Sequence, residues 1–175
     1  MSTLRKGSSC RCPVRAYTRR SKFKSKSYVK SFPPSKIIRY DMGEPKKTFS
    51  YRLDLVSREN IQLRHNALES ARQVANRRLL KRLGKSLYSF KLRLFPHQAI
   101  RENKMITGAG ADRMQTGMAM SFGQIISIAA QVKQGQPVFT VNVDKAGIDV
   151  AKEALRLCRS KMPGTYQVVM SENKK

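Results

Sequence analysis

Acid is what this sequence is short of. Asp and Glu together number 11 against 36 Lys and Arg, which leaves a net charge of +25. Such a chain repels itself in isolation and implies an anionic partner. Nucleic acid fits, because each neutralised phosphate releases condensed counterions. The shortage of acid also narrows the chemistry available. The carboxylates are scattered singly, and His65 and His97 have no spaced Ser, Cys or carboxylate constellation. General acid–base or triad catalysis needs partners within hydrogen-bond reach, so no catalytic residue and no small-molecule substrate are expected.

Cysteine is scarce too. Cys10, Cys12 and Cys158 are an odd number, which suits a reducing compartment better than a disulfide framework. The "CRCP" stretch lacks the C-x₂-C spacing of a zinc site and no second ligand pair follows it, so neither metal nor cofactor is expected. No apolar run approaches the ~20 residues that span a bilayer, and the N-terminus lacks the apolar centre of a signal peptide. Without a bulky aromatic helix face there is also little to hold the chain on a membrane surface. A cytoplasmic protein with no membrane partner is the expectation. Internal repeats are absent, and 175 residues suffice for one core with an extra arm.

The positive charge is unevenly spread. Residues 1–104 carry 27 bases and 6 acids, whereas 105–175 carry 9 and 5. The first 35 residues have no helical or strand period and alternate bases with Ser and single aromatics. They read as an extended arm, disordered alone, in which Arg11, Arg15, Arg19, Arg20, Lys22, Lys24 and Lys26 meet phosphate. Tyr17, Phe23, Tyr28 and Phe32 are spaced to stack on unpaired bases or fill gaps in folded RNA. A merely solvated basic tail is the plainer alternative.

Residues 36–175 read as one α+β domain. "KIIRYDMG" is a short strand candidate, and "TFSYRLDLV" alternates, with Phe49, Tyr51, Leu53 and Leu55 on one face. From Arg64 to Leu83 the period is helical: Leu68, Ala71, Val74, Ala75, Leu79 and Leu83 form a stripe and Gly84 is a stop signal. Arg72, Arg77, Arg78 and Arg82 load the rest of that helix. They either touch RNA or form an ordinary solvated face. "LYSFKLRLF" is a strand with Tyr88, Phe90, Leu92 and Leu94 pointing one way. "QIISIAAQVKQGQPVFTVNV" reads as two strands around a turn at residues 134–137, a hairpin. A second helix opens at Asp144 or Lys145 and buries Ile148, Ala151, Leu155, Cys158 and Met162, with Cys158 a small core residue. A last short strand, "TYQVVM", follows. The expected fold is α+β with two helices and a mixed, largely antiparallel sheet.

Between these elements lies "ITGAGADRMQTGMAMSFG", residues 106–123, too long for a turn and too rich in small residues to pack a core. Gly108 and Gly110 supply two of three glycines of a dinucleotide fingerprint, but Arg113 occupies the third position and no helix follows. "LGKS" at residues 83–86 resembles the end of a phosphate loop, yet it ends a helix and Leu79 stands where the first glycine belongs. A long loop without secondary structure is usually functional or disordered. Going out and back, this one reaches at most about 30 Å at ~3.3 Å per residue. Its glycines admit close backbone approach, and Arg113 and Gln115 are its polar handles. His97, after Pro96, either caps a strand or contacts phosphate.

The words "GADRMQTGM…FG", with "ALESARQVANRRLLKRLGK", "FKLRLFPHQAIRENKM" and "KIIRYDMG", closely resemble a family of large-subunit ribosomal proteins called ten-e in archaea and eukaryotes, part of universal ribosomal family sixteen. The resemblance covers the chain from about Arg11 onward. It implies a hammerhead-type α+β fold bound to large-subunit rRNA beside neighbouring ribosomal proteins. It further implies that Gly108–Gly123 extends toward the peptidyl-transferase centre and the acceptor ends of tRNA, a transient partner.

Carried over, Arg101 and Lys104 in "RENKM" and Arg113 in "GADR" bind RNA phosphate, while Asp112 orders the loop. Gly108, Gly110, Gln115, Gly117, Met118 and Phe122 complete the tRNA-facing set. Where eukaryotic relatives tend to carry a base after "TGM" and a Lys after "FG", this chain has Ala119, Met120 and Gln124, so Met118, Met120 and Phe122 pack against RNA in place of charge. A free-standing RNA chaperone and an RNA-modifying or RNA-cleaving enzyme are the competing readings.

Overall fold

The computed structural model describes residues 6–13, 23, 25, 29, 31–102, 108, 109 and 123–173. Among these residues, eight strands and two α-helices occur in the order β1 Asp41–Gly43, β2 Tyr51–Ser57, β3 Ile61–Arg64, α1 His65–Leu83, β4 Tyr88–Leu92, β5 Gln98–Glu102, β6 Gln124–Val132, β7 Pro137–Val143, α2 Ile148–Arg159 and β8 Tyr166–Glu172. The strands form two sheets, β1-β4-β7-β2-β8 and β3-β6-β5, and every described pairing is antiparallel.

The alternation in β2 and β4 does what a half-buried strand requires. Leu53, Leu55, Tyr88, Phe90 and Leu92 are buried together with Phe139, Val141 and Val143 of β7. Full burial of each large apolar side chain contributes about 1.5–3 kcal/mol, and Phe90 and Phe139 meet as tilted rings 5.3 Å apart. Ala71 and Ala75 of α1 lie in the same core as Ala151, Ala154 and Cys158 of α2, all fully buried. Small side chains at the contact let two helices approach closely. Cys158 is a core residue as its helical position implied: its thiol points to the Ala71 carbonyl, and burial pushes its pKa up to about 12. The core cluster also takes in Ile61 and Leu63 of β3 and Ala130 and Val132 of β6, so both sheets share it.

Three local expectations change. "KIIRYDMG" is strand only over its last three residues, because the chain before Asp41 is bound to α1 by side chains. Two further strands, "IQLR" in β3 and "QAIRE" in β5, are short runs without clean alternation, and the first three residues of each are all buried.

The expected β6–β7 hairpin does not form, for these strands lie in different sheets. Instead β2 and β3 form one side of a bent ribbon, and β7 and β6 the other. The register set after the bulge at Leu55/Val56 continues from Val56↔Pro137 to Ile61↔Val132. At the bend, Gly135 donates its N–H to the Ser57 carbonyl (2.8 Å), and Ser57 donates to the Gln136 carbonyl (3.1 Å). Gln134 donates to Asn60 Oδ1 at 2.9 Å. The turn is thus held by the corner of β2 and β3, where a strand pair leaves one sheet for the other.

Candidate nucleic-acid interface

The three-stranded sheet carries the long loop. β5 and β6 are neighbours with Glu102 opposite Gln124 and a register shift between Ile100 and Arg101. Residues 103–123 therefore join two adjacent antiparallel strands, and the loop has to leave and return at one place. Bulges add twist and re-aim the chain beyond them. Across the mouth, Arg101 Nη1 donates to the Gly123 carbonyl at 3.1 Å. Arg101, read as a phosphate ligand, is also a clasp on the loop's two ends. Gly108 is exposed. Lys104, Gly110, Asp112, Arg113, Gln115, Gly117, Met118 and Phe122 lie outside the described residues.

The same sheet receives the start of the arm. A 3-10 turn at Gly7–Cys10 brings Cys10 into a small cluster with Ile100 of β5 and Ala129 of β6, with Ile126 against it. Gln62 at the edge of β3 donates its main-chain N–H to the Arg11 carbonyl (2.8 Å) and its side-chain amide to the Cys10 carbonyl (3.2 Å). These bonds satisfy an edge that would otherwise stand open. The arm is therefore docked on the fold here instead of extended throughout, and the Arg11 side chain is left exposed. Arg15, Arg19, Arg20, Lys22, Lys24 and Lys26 lie outside the described residues.

On α1 the four arginines divide. Arg77 and Arg82 are exposed, with Lys81 and Lys85 near them, and none of these four is in an ion pair among the described residues. Arg78 pairs with Glu153 of α2. Arg72 is a correction: it is buried, and its guanidinium grips Glu69 through Nε at 2.8 Å and Nη2 at 2.6 Å. The geometry spends this charge inside the protein, so Arg72 leaves the RNA-facing set.

Arg72 belongs to a second stripe, buried at His65, Glu69 and Arg72 and half-buried at Asn76, that polar residues disguise. His65, Glu69, Arg72 and Asn76 recur at helical spacing. His65 accepts the Lys36 N–H and Glu69 accepts the Ile38 N–H; Arg72 Nη1 reaches Met42 Sδ, and Asn76 accepts the Tyr88 hydroxyl. Burial raises the Glu69 pKa, but hydrogen bonds from Arg72 and Gln73, the Arg72 charge and the Ile38 amide outweigh it, holding the carboxyl below its ordinary value.

Acids elsewhere are similarly engaged. Asp54 meets Arg52 at 2.8 Å and the Thr140 hydroxyl at 2.5 Å, and Asp41 meets Lys91 at 3.3 Å on the outer face of the large sheet. Charge is balanced there and unbalanced along the last half of α1. His97 Nδ1 lies 2.9 Å from the Phe95 carbonyl, closing the bend between β4 and β5. No group of three His, Cys, Asp or Glu among the described residues is arranged to hold a metal ion, and no helix among them is long and apolar enough to cross a membrane.

Residues 13–169 match the family of ribosomal protein L16p/L10e. The large ribosomal subunit protein uL16 of Methanococcus maripaludis is 42% identical over 164 residues, 93% of this chain and 95% of its own length. That of Methanocella arvoryzae is 45% identical over 157 residues, 90% of this chain and 88% of its own length. The uL16 of Thermofilum pendens is 46% identical over 145 residues, covering 83% and 86%.

Proposed function

The chain belongs to the ribosomal protein L16p/L10e family, a structural constituent of the large ribosomal subunit in the cytoplasm, and on that premise we propose how it works there. Its basic surfaces bind large-subunit rRNA beside other ribosomal proteins. Its long loop projects from the small sheet toward the aminoacyl end of tRNA, which it helps to position. The protein organises RNA and performs no catalysis itself.

The observation that carries this reading is the loop stem. Glu102 and Gln124 are paired, and Arg101 holds the Gly123 carbonyl, so a glycine-rich segment is presented from a rigid base. Sites built on strands hold their aim better than sites on free loops. Residues 1–35 and the exposed Arg77, Lys81, Arg82 and Lys85 act as the electrostatic anchor, and 36–175 as the domain that bears the loop. Phosphate contacts of this kind fix orientation and carry no sequence information directly.

Co-sedimentation with large subunits through a high-salt wash tests the assignment. The chain is expected in the subunit peak. A protein that stays at the top of the gradient would point to a free-standing RNA chaperone instead.

A further inference from the structure

Between residue 35 and β1 the chain lies along α1 as a strap, tied down by the polar stripe. His65 Nδ1 accepts the Lys36 N–H at 3.3 Å, and Glu69 Oε2 accepts the Ile38 N–H at 3.4 Å. His65 differs from the other members of the stripe because its second nitrogen reaches a third element. Nε2 lies 3.3 Å from Ser127 Oγ on β6. Ser127 is opposite Ile100, the last pair before the register of the loop stem shifts. A single buried ring thus joins the strap, the first residue of α1 and the point where the stem bends.

We propose that His65 is a positioning residue that fixes the stem of the 103–123 loop against the strap leading back to the arm, and that it does so only as the neutral Nε2–H tautomer. A main-chain N–H can be accepted only by a nitrogen with a free lone pair, so Nδ1 is unprotonated and Nε2 carries the proton, donating to the Ser127 hydroxyl. A second proton would set N–H against N–H at Lys36 and break the strap bond while leaving the Ser127 contact.

The surroundings oppose that proton. Burial is the largest influence lowering the imidazole pKa, followed by the positive charges of Lys36 on the strap and Arg64 at the end of β3. Glu69, one turn along α1, is engaged by Arg72, Gln73 and the Ile38 amide, and β6 faces the ring with the Ser127 hydroxyl. The joint is therefore complete above the ordinary histidine pKa of about 6.5 and weakens as pH falls below it, since the released state binds the extra proton.

The joint exists whatever the loop touches, so hydrogen–deuterium exchange on the full chain reads it directly. Rates are compared from pH 7.5 to pH 5 after correction for intrinsic chemistry, in the native chain, His65→Gln and His65→Phe. Glutamine keeps one acceptor and one donor without titrating in this range; phenylalanine keeps neither. In the native chain, protection of the Lys36 amide in the 36–38 segment should fall about tenfold between the two ends, the scale of one lost hydrogen bond. His65→Gln should show no such step. His65→Phe should leave the Lys36 amide unprotected and 124–128 loosened at every pH, while the Ile38 amide keeps its Glu69 acceptor and residues 51–57 are unchanged. A native chain without the step, an equal step in His65→Gln, or full protection of both segments in His65→Phe would each overturn the proposal.

Discussion

Arg101 and Gly123 face each other across the mouth of the loop, with the guanidinium Nη1 3.1 Å from the carbonyl oxygen of a residue 22 positions later. The contact turns a change of direction between β5 and β6 into a closed base. Replacing Arg101 by Ala should cost the local stem about 1.5–3 kcal/mol, the usual range for a hydrogen bond to a charged group. Hydrogen exchange at the ends of β5 and β6 should accelerate while the core of β7 keeps its protection. Equal acceleration in both sheets would mean that Arg101 supports the whole fold and not the stem.

The arginines of α1 should separate into two kinds. Arg72→Ala leaves Glu69 buried without its partner, and breaking a buried pair in this way costs about 3–5 kcal/mol. Its thermal melting should drop sharply. Arg77→Ala and Arg82→Ala should melt like the native chain, yet each should reduce the slope of log binding against log salt by about 0.7–0.9 when RNA is titrated. An Arg72→Ala protein of native stability would restore Arg72 to the RNA-facing surface.

Two glycines with similar φ make a matched pair. Gly43 has φ +81°, and a Cβ there would sit 2.3 Å from the Tyr88 carbonyl oxygen; Gly84 has φ +78° and open space around it. Alanine at Gly84, where φ +78° goes with ψ 166°, carries backbone strain alone, about 1–3 kcal/mol. Alanine at Gly43 adds a clash with the main chain that pairs β1 to β4, and should cost more than about 3 kcal/mol. Denaturant unfolding of the two variants side by side gives the comparison.

Acid should loosen the strap in a second way. The Glu69 carboxyl is held below its ordinary value in the folded chain, so the unfolded state binds its proton first. The stability it contributes is complete above the ordinary carboxylate pKa and is lost as pH falls through the lower folded value. Glu69→Gln should remove this part of the acid dependence while lowering stability at neutral pH. Melting curves from pH 7 to pH 3 measure both effects, and an unchanged acid limb in Glu69→Gln would place the titration elsewhere.

Where period and burial coincide, the sequence was readable. Leu53 and Leu55, or Tyr88, Phe90 and Leu92, alternate because each strand has one covered face, and Gly84 ends α1 where the stop signal stands, with positive φ and its N–H on the Leu80 carbonyl. Buried polar side chains misled. His65, Glu69 and Arg72 look solvated until their partners, main-chain N–H groups some thirty residues away and one another, are known. The β6–β7 turn misled for a related reason: its residues specify a reversal, while the pairing is decided by the β2–β3 ribbon that supplies the bonds. The family resemblance points to Arg101, but its bond to Gly123 depends on a pairing of β5 and β6 that no local pattern announces.

The proposed action of residues 103–123 on tRNA depends on the base that β5, β6 and Arg101 provide. Large subunits lacking this protein, rebuilt with a chain shortened between Gly110 and Met120, can be assayed for the rate of peptide-bond formation with aminoacyl-tRNA. The shortened chain should remain in the high-salt subunit peak at native occupancy, and synthesis should slow. Peptide synthesis at the native rate, with the shortened chain fully incorporated, would mean that the loop does not act on tRNA.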